Sequence, residues 1–333
     1  MNPGLAFIVF AGGAAVSLTT SWLLVTRVER LGERLGLSEA LLGLLAALAA
    51  DQANIWAAVT ALAHQQRSLG AGVVIGSNIF NLAALLGLGA VVAGRIGLHR
   101  KVVVLSGTVA LWVAIVCFAT VMGIVDSALG LGLVLAVLAP YVAVLALRRS
   151  QRRHLPLPRR WATWVASAVD EEELELEAAI RPRRGNVWDL VVAIPTLLVV
   201  IAATVAMERG GSALGQHFAV PAVVTGGLVL AAVTSLPPAV AAVHLAARGR
   251  GAAALSTAFT SNALNVAAGL LIPTLFIQLG KPSGQALLVA AWYVGLTYVT
   301  LALAYTGRGL RRWAGWVIIA GYAAFVVAVL AVS

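Results

Sequence analysis

The sequence predicts an all-α polytopic membrane protein with ten transmembrane helices, arranged as two inverted five-helix repeats. Three observations lead to this fold class: the composition, ten long apolar runs, and an internal similarity between the two halves of the chain. Of 333 residues, 61% are hydrophobic and 11% are charged, whereas about 25% charged residues are typical of soluble globular proteins. This composition therefore favours a chain that lies mostly within lipid.

The apolar runs define the predicted membrane spans. A helix of about 20 residues crosses the roughly 30 Å of hydrocarbon in a bilayer. Three of the runs have 28, 30 and 30 residues, more than one straight span needs, so we expect tilt, a break or an overhang there. The ten runs lie near residues 4–26, 37–64, 69–94, 102–124, 127–147, 187–207, 218–247, 251–280, 283–306 and 313–332.

The basic residues predict the orientation in the membrane. With ten spans, 20 of the 23 Lys and Arg residues fall in loops on one side and 3 on the other. Such a bias marks the cytoplasmic side, so both termini are expected outside the cytoplasm, in a plasma (inner) membrane. Arg greatly outnumbers Lys and Ala is abundant, which indicates a bacterial source. The sorted charges explain the net charge of +10 without nucleic acid, and the expected partners are the lipid bilayer and a transported ion or small solute.

A central segment, residues 148–186, separates the predicted halves 1–147 and 187–333. Its charge runs from basic to acidic and back to basic, with "DEEELELE" in the middle. This pattern is typical of a solvated, partly disordered cytoplasmic connector. The alternatives are a contact with anionic lipids through the basic clusters and a regulatory ion site on the acidic run.

The two halves contain a repeat at a constant offset of 184 residues. Residues 54–89 and 238–273 align without a gap, and ten of the 36 positions are identical. The informative identities pair Ser77 with Ser261, Asn78 with Asn262, and Asn81 with Asn265. An odd number of spans per half turns the second repeat upside down relative to the first, as in many transporters.

The paired asparagines need hydrogen-bond partners within the membrane. Residues three apart lie on roughly one side of a helix, so each pair presents two amides to the same neighbour. A bound ion is one possible partner. The alternative is a purely structural role, in which the amides hydrogen-bond neighbouring helices and hold the bundle together.

Two stretches, "GSNIFNLAALLGLG" and "TSLPP…TSNALN", resemble the alpha-repeats of the cation/calcium antiporter superfamily, which includes the sodium/calcium exchangers. The resemblance covers nearly the whole chain and places the repeats at about 37–94 and 218–280. It implies ion exchange by alternating access. It also implies a glutamate at the end of each "LPE"-like break, but Asn54 and Pro238 occupy those positions.

The missing glutamates alter the expected chemistry. Calcium takes six to eight oxygen ligands, several of them carboxylates in typical sites, so tight calcium binding is not expected here. Asp51 lies one helical turn before Asn54 and aligns with Ser235. An acid inside a membrane span is a functional candidate, and one carboxylate matches the charge of one monovalent cation or proton. The alternative is a structural carboxylate that caps a broken helix or pairs with a basic residue.

We therefore expect an atypical cation or cation/proton antiporter that carries Na+, H+ or another cation, without a resident cofactor or catalytic residues. A diverged scaffold that moves a neutral or anionic solute, or a non-transporting interaction protein, is the alternative. His64 and His244 are weaker candidates, as proton relays. The predicted site consists of Asp51, Asn54, Ser77, Asn78, Asn81, Thr234, Ser235, Ser261, Asn262 and Asn265.

Overall fold

A computed structural model describes residues 1–34, 45, 47–147, 158–179, 186–247, 249, 251–277, 279–280 and 283–332. The helices and strands of its first half follow the order α1 (Pro3–Arg34), α2 (Gln52–Ala63), α3 (Arg67–Asn81), π1 (Leu82–Leu88, a π-helix), α4 (Gly89–Ala93), β1 (Arg95–Gly97), α5 (Arg100–Val121) and α6 (Ser127–Ala146).

The remaining elements include a central helix, α7, and a second half that mirrors the first. They are α7 (Arg159–Ala179), α8 (Val187–His217), α9 (Ala222–Val224), π2 (Thr225–Leu230), α10 (Ala231–Thr234), α11 (Leu236–Ala247), α12 (Gly251–Leu264), π3 (Asn265–Leu271), α13 (Ile272–Thr274), α14 (Gly284–Thr306), β2 (Gly309–Arg311) and α15 (Arg312–Val332).

The described residues contain eight helices long and apolar enough to cross a membrane, and nine crossings if the bent pair Ala222–Thr234 and Leu236–His244 is counted as one. These nine correspond to nine of the ten predicted spans. For the remaining prediction, 37–64, the structure describes α2 and a few residues before it, while 37–44 and 46 lie outside the described residues. One prediction was too short: the span predicted to end at residue 207 continues to His217.

The helix starts keep the sequence offset of the repeat. The starts of α1 and α8 are residues 3 and 187, those of α3 and α12 are 67 and 251, and those of α5 and α14 are 100 and 284. Each pair differs by 184. The two spans that carry the paired asparagines are also the most buried. In their most apolar stretches, 94% and 78% of the residues are buried, against 22% for Arg312–Val332. The repeats therefore place their polar motifs at the centre of the bundle.

Both halves have a helix break at the equivalent residue. Asp51 separates the preceding helical turn from α2, and Ser235 separates α10 from α11. Their backbone angles are nearly the same, with φ −84° and ψ −2° at Asp51 and φ −91° and ψ 0° at Ser235. The chain bends by 48° at Ser235. The break is confined to Ser235, because Pro237 and Pro238 fit the first turn of α11.

Three π-helical segments lie within the central spans, a feature that the sequence analysis did not predict. Two of them occupy equivalent positions, since π1 follows Asn81 directly and π3 begins at Asn265. Such segments often occur at functional sites. Here π1 and π3 begin at or directly after the second asparagine of each repeat.

The central connector contains a long helix, α7, so the expectation of a partly disordered connector was wrong for residues 159–179. The apolar face of α7 buries Ala162, Ala166 and Val169 and packs against α5 and α12. Lys101 Nζ donates a hydrogen bond to Ser167 Oγ at 2.8 Å. The alternating small and apolar residues of "WATWVASAV" explain the docking. The predicted basic segments of 148–157 and 180–185 lie outside the described residues.

Two short strands fix the relative position of two loops. Strand β1 pairs antiparallel with β2, with Ile96 opposite Leu310. These strands belong to the loops before α5 and before α15, which the alternation of spans places on the same side of the membrane. The pairing and the Lys101–Ser167 contact are therefore consistent with one common side for both loops and α7.

Candidate cation-binding site

The site begins with the carboxyl group at the first helix break. Asp51 is completely buried, and Asn54 Nδ2 donates a hydrogen bond to its Oδ1 at 3.3 Å, as the one-turn spacing predicts. Ser235 Oγ in turn donates to Asn54 Oδ1 at 3.3 Å. The two equivalent breaks therefore meet through Asn54.

A second group of hydrogen bonds joins the central helices of the two halves. Asn78 Nδ2 donates to the Asn262 carbonyl oxygen at 3.1 Å, and Asn262 Nδ2 donates to the Asn78 carbonyl oxygen at 3.0 Å. These equivalent residues thus form a reciprocal pair. In the structure both amides bridge α3 and α12, which is the structural role left open by the sequence.

The other two asparagines lie around this pair. Asn81 Nδ2 donates to Ser261 Oγ at 3.2 Å and to Asn262 Oδ1 at 3.0 Å. Asn265 Nδ2 donates to Asn78 Oδ1 at 3.2 Å. In both residues the amide nitrogen is used for interhelical bonds, and the carbonyl oxygen remains available.

Ser261 connects the two groups, because its side chain also lies beside the Asp51 carboxyl. Three buried acceptor oxygens here have no hydrogen-bond partner in the structure: Asp51 Oδ2, Asn81 Oδ1 and Asn265 Oδ1. Buried polar atoms are nearly always paired. Acceptors without donors fit a positively charged ligand, which interacts favourably with oxygen and needs no donor from the protein.

The alternative structural roles for Asp51 are not found in the described residues. Asp51 occupies the N-cap position of α2, but its side chain makes no capping hydrogen bond. The ion pairs of the described residues both involve Asp189, with Arg27 at 2.6 Å and Arg30 at 3.7 Å. Within the described part of the chain, Asp51 therefore has no basic partner.

Other predicted residues lie at the edge of the site or away from it. Ser77 and Thr234 are buried, but their hydroxyls donate to carbonyls of their own helices, at Val74 and Leu230. His64 and His244 are exposed. His64 Nδ1 lies 2.8 Å from the Thr60 carbonyl oxygen, outside the hydrogen-bonded groups described above.

Two buried groups escaped the sequence analysis. Tyr293 of α14 is 1% exposed, and its hydroxyl lies near Asn78. Glu208 of α8 is also 1% exposed and lies beyond the predicted end of its span. In the sequence, Glu208 follows directly after a long apolar run, and this position could have marked it as a candidate buried acid. Its burial follows from packing around the extension of α8.

The donor set of the site is almost entirely neutral. The described residues contain no cluster of three or more His, Cys, Asp or Glu side chains able to hold a metal ion. One carboxyl and several amide and hydroxyl oxygens can partly replace the water around an ion of low charge. They offer little to offset two positive charges in a low-dielectric interior.

Comparison with known proteins identifies the family. The sequence pattern of the family described as "Sodium/calcium exchanger protein" matches residues 5–149 and 188–331, which is nearly all of both halves. The chain belongs to this family. A sodium/calcium exchanger family member is a secondary membrane transporter rather than an enzyme, and the two matched blocks flank the central connector. A search of curated proteins finds no match.

Solved structures of three other proteins share the fold. The chain aligns with the H+/Ca2+ exchanger CAX over 98% of its own length and 86% of that chain, with a TM-score of 0.71 and 12% identity. It aligns with the native structure of YfkE at a TM-score of 0.65 and 17% identity, covering 97% and 99% of the two chains. It aligns with the sodium-calcium exchanger NCX_Mj at a TM-score of 0.62 and 19% identity, covering 97% of its own length and 98% of that chain. At these identities the likeness concerns the fold.

Proposed function

We propose that this family member is an atypical antiporter that carries a monovalent cation or a proton and binds calcium weakly. The observation that carries the proposal is the presence of three buried acceptor oxygens without hydrogen-bond partners, of which one belongs to a carboxyl group: Asp51 Oδ2, Asn81 Oδ1 and Asn265 Oδ1. Family membership supports transport as such. The single carboxyl group of the site supports a preference for a monovalent cation or a proton over calcium.

The number of negative charges around the site affects which ion it can hold. A cation in the membrane interior is costly unless nearby negative charge offsets it. Asp51 supplies one negative charge, while Asn54 and Pro238 stand where the family resemblance implies two glutamates. A singly charged ion leaves the loaded site neutral, whereas calcium leaves it with one uncompensated positive charge.

The transport cycle would use the symmetry of the repeats. The two broken helices meet through Ser235, Asn54 and Asp51, so the carboxyl lies at the junction of the two halves. In inverted-repeat transporters, movement of one part against the other exposes such a junction alternately to the two sides. We propose that the cation is bound at this junction, within a cell membrane, with residues 148–186 cytoplasmic and both termini outside.

Reconstituted protein provides the test. Purified protein in liposomes is given sodium, potassium, calcium and proton gradients in turn, and the flux of each ion is compared between wild type and Asp51→Asn. Asp126→Asn is the matched control, because Asp126 is an acid that only caps α6, accepting from Ala128 N and Leu129 N at 2.9 Å.

We expect monovalent cation or proton flux in wild type and in the control variant, and none in Asp51→Asn. Absence of any cation flux in folded wild-type protein would contradict the proposal and direct the search to neutral or anionic solutes, or to a binding partner. Calcium flux that persists in Asp51→Asn would contradict the assigned role of the carboxyl.

A further inference from the structure

Glu208 is a second acid inside a membrane-spanning helix, remote from the site around Asp51. It lies in α8 (Val187–His217), its side chain is 1% exposed, and neither of its carboxyl oxygens has a hydrogen-bond partner in the structure. A buried charge without a partner is strongly unfavourable. The position therefore requires a ligand that neutralises the carboxylate.

A cavity lies one helical turn along α8 from Glu208. Glu208 and Ser212 are four residues apart and lie on the same face of α8. Ser212 Oγ donates to Gln66 Oε1 at 2.9 Å, and both residues line a cavity of about 440 Å³ whose wall also includes Gln65 and Thr225. The carboxyl of Glu208 thus belongs to the helical turn next to this cavity.

The titratable and charged groups near Glu208 are few. They are His64, at the end of α2, and the neighbouring Arg209, which are both exposed, and Arg67, which lines the cavity beside Gln66. None of the three forms an ion pair with Glu208 among the described residues.

Two other segments packed on this part of α8 add no charge. The residues of α1 that contact it, at Gly13 and Phe10, are uncharged, and so is the segment Ala222–Thr234 across the cavity. Arg67 and Arg209 are therefore the Lys or Arg side chains of the described surroundings, and neither is paired with the carboxyl.

The geometry favours a proton over a metal ion as the neutralising ligand. A metal ion takes several oxygen ligands at once, but no polar atom of the described residues lies within hydrogen-bond distance of either Glu208 oxygen. A proton needs only one carboxyl oxygen. The single bond formed is O–H, and the proton comes from a hydronium ion of the cavity water, which is left as neutral water.

We propose that Glu208 is a proton-binding site that exchanges protons with the water of the cavity lined by Gln66 and Ser212. The site is distinct from the Asp51 site and does not depend on which ion is transported. It makes the α8 side of the bundle responsive to the pH of the compartment that the cavity faces.

Chemical labelling of the wild-type protein tests this assignment without a substitution. Dicyclohexylcarbodiimide reacts with protonated carboxyl groups in apolar surroundings: the acid proton moves to a carbodiimide nitrogen, the carboxylate oxygen adds to the central carbon, and rearrangement gives a stable N-acylurea. Protein in lipid nanodiscs is treated over a range of pH, and the modified peptides are identified by mass spectrometry.

We expect label on Glu208 that falls by about tenfold per pH unit above the midpoint of its titration. Asp126, an exposed capping carboxylate, is the internal control and should remain unlabelled. Absence of label on Glu208 at every pH, while the protein remains folded, would overturn the proposal.

Infrared spectroscopy provides a second readout. In an Asp51→Asn background, the absorption of protonated carboxylic acid should disappear as the pH rises, and Glu208→Gln should remove that change. Asp126→Asn, which removes an exposed carboxyl elsewhere in the chain, should leave it in place. An identical spectral change without Glu208 would contradict the assignment. Neither readout measures ion flux, so failure here is distinguishable from failure of the proposed transport function.

Discussion

The two halves of the protein form the same backbone with different chemistry. Both break a central helix at positions related by the 184-residue offset, with nearly identical backbone angles at Asp51 and Ser235. The second break is followed by Pro237 and Pro238, whereas the first is followed by Ala53 and Asn54. The helix break is therefore common to both repeats, although the side chains around it differ.

This divergence makes the site electrically asymmetric. The only acid at the two breaks is Asp51, while the second half contributes the Ser235 hydroxyl, which reaches Asn54 at 3.3 Å. The amides beyond the breaks keep their symmetry, as the reciprocal Asn78–Asn262 pair demonstrates. Structural hydrogen bonds are shared equally between the halves, and charge is concentrated in one.

The largest expected effect comes from removing or moving that charge. Asp51→Ser should lower cation flux by about 100-fold or more, because loss of a buried charged partner costs several kcal/mol. Adding Ser235→Asp should restore part of the flux, since the equivalent position places a carboxyl next to Asn54. Liposome flux measurements compare the single and double variants. A double variant as inactive as the single one would show that the halves are not interchangeable.

A smaller effect is expected from breaking the symmetric pair. Asn78→Ala and Asn262→Ala should each lower the free energy of unfolding by about 2 kcal/mol, because each leaves a buried carbonyl without its donor. The reciprocal geometry predicts similar values for the two variants. Thermal unfolding in detergent checks this, with the exposed substitution Thr108→Ala as a control. Clearly unequal losses would disprove the equivalence of the two amides.

Returning one carboxylate to the site should shift its specificity. Asn54→Glu places a second acid beside Asp51 and should tighten calcium binding by about tenfold, since added ligand charge favours divalent ions. Asn54→Gln has nearly the same size without the charge and should leave calcium binding weak. Isothermal titration calorimetry distinguishes the two. Equal calcium affinities in both variants would show that charge does not limit calcium binding here.

The smallest effect is expected at Pro238. Because the first half breaks its helix with Asn54 at the equivalent position, Pro238→Ala should keep the break and change the free energy of unfolding by less than about 1 kcal/mol. Thermal unfolding and flux measurements provide the check. A loss of several kcal/mol would mean that the second half, unlike the first, depends on proline for its break.

Much of the fold could be predicted from the sequence, because apolar runs long enough to cross a bilayer are unambiguous. The end of α8 could not, since the glycines and polar residues after Met207 carry no apolar signal, and neighbouring helices bury Glu208 there. The helix α7 was missed because the charges around it masked the short apolar periodicity that begins at Trp161. The π-helices depend on local hydrogen-bond geometry that composition does not encode.

The candidate site was predicted in outline through the repeated asparagines and Asp51. The sequence could not show which of the asparagines join the two halves and which leave an oxygen unpaired. Asn78 and Asn262 use their amide nitrogens to join the two halves, whereas Asn81 and Asn265 leave a carbonyl oxygen unpaired. This distinction depends on side-chain orientation within the bundle.

The most direct test of the central claim is equilibrium binding of radioactive sodium, rubidium and calcium ions to the purified protein, compared with Asp51→Asn. The account predicts saturable binding of a monovalent cation to wild type, weak calcium binding, and loss of monovalent binding in the variant, with Asp126→Asn unchanged. Where the bound ion is a proton, its release on titration replaces the monovalent signal and is likewise lost with Asp51. Tight calcium binding that survives in Asp51→Asn would contradict the account.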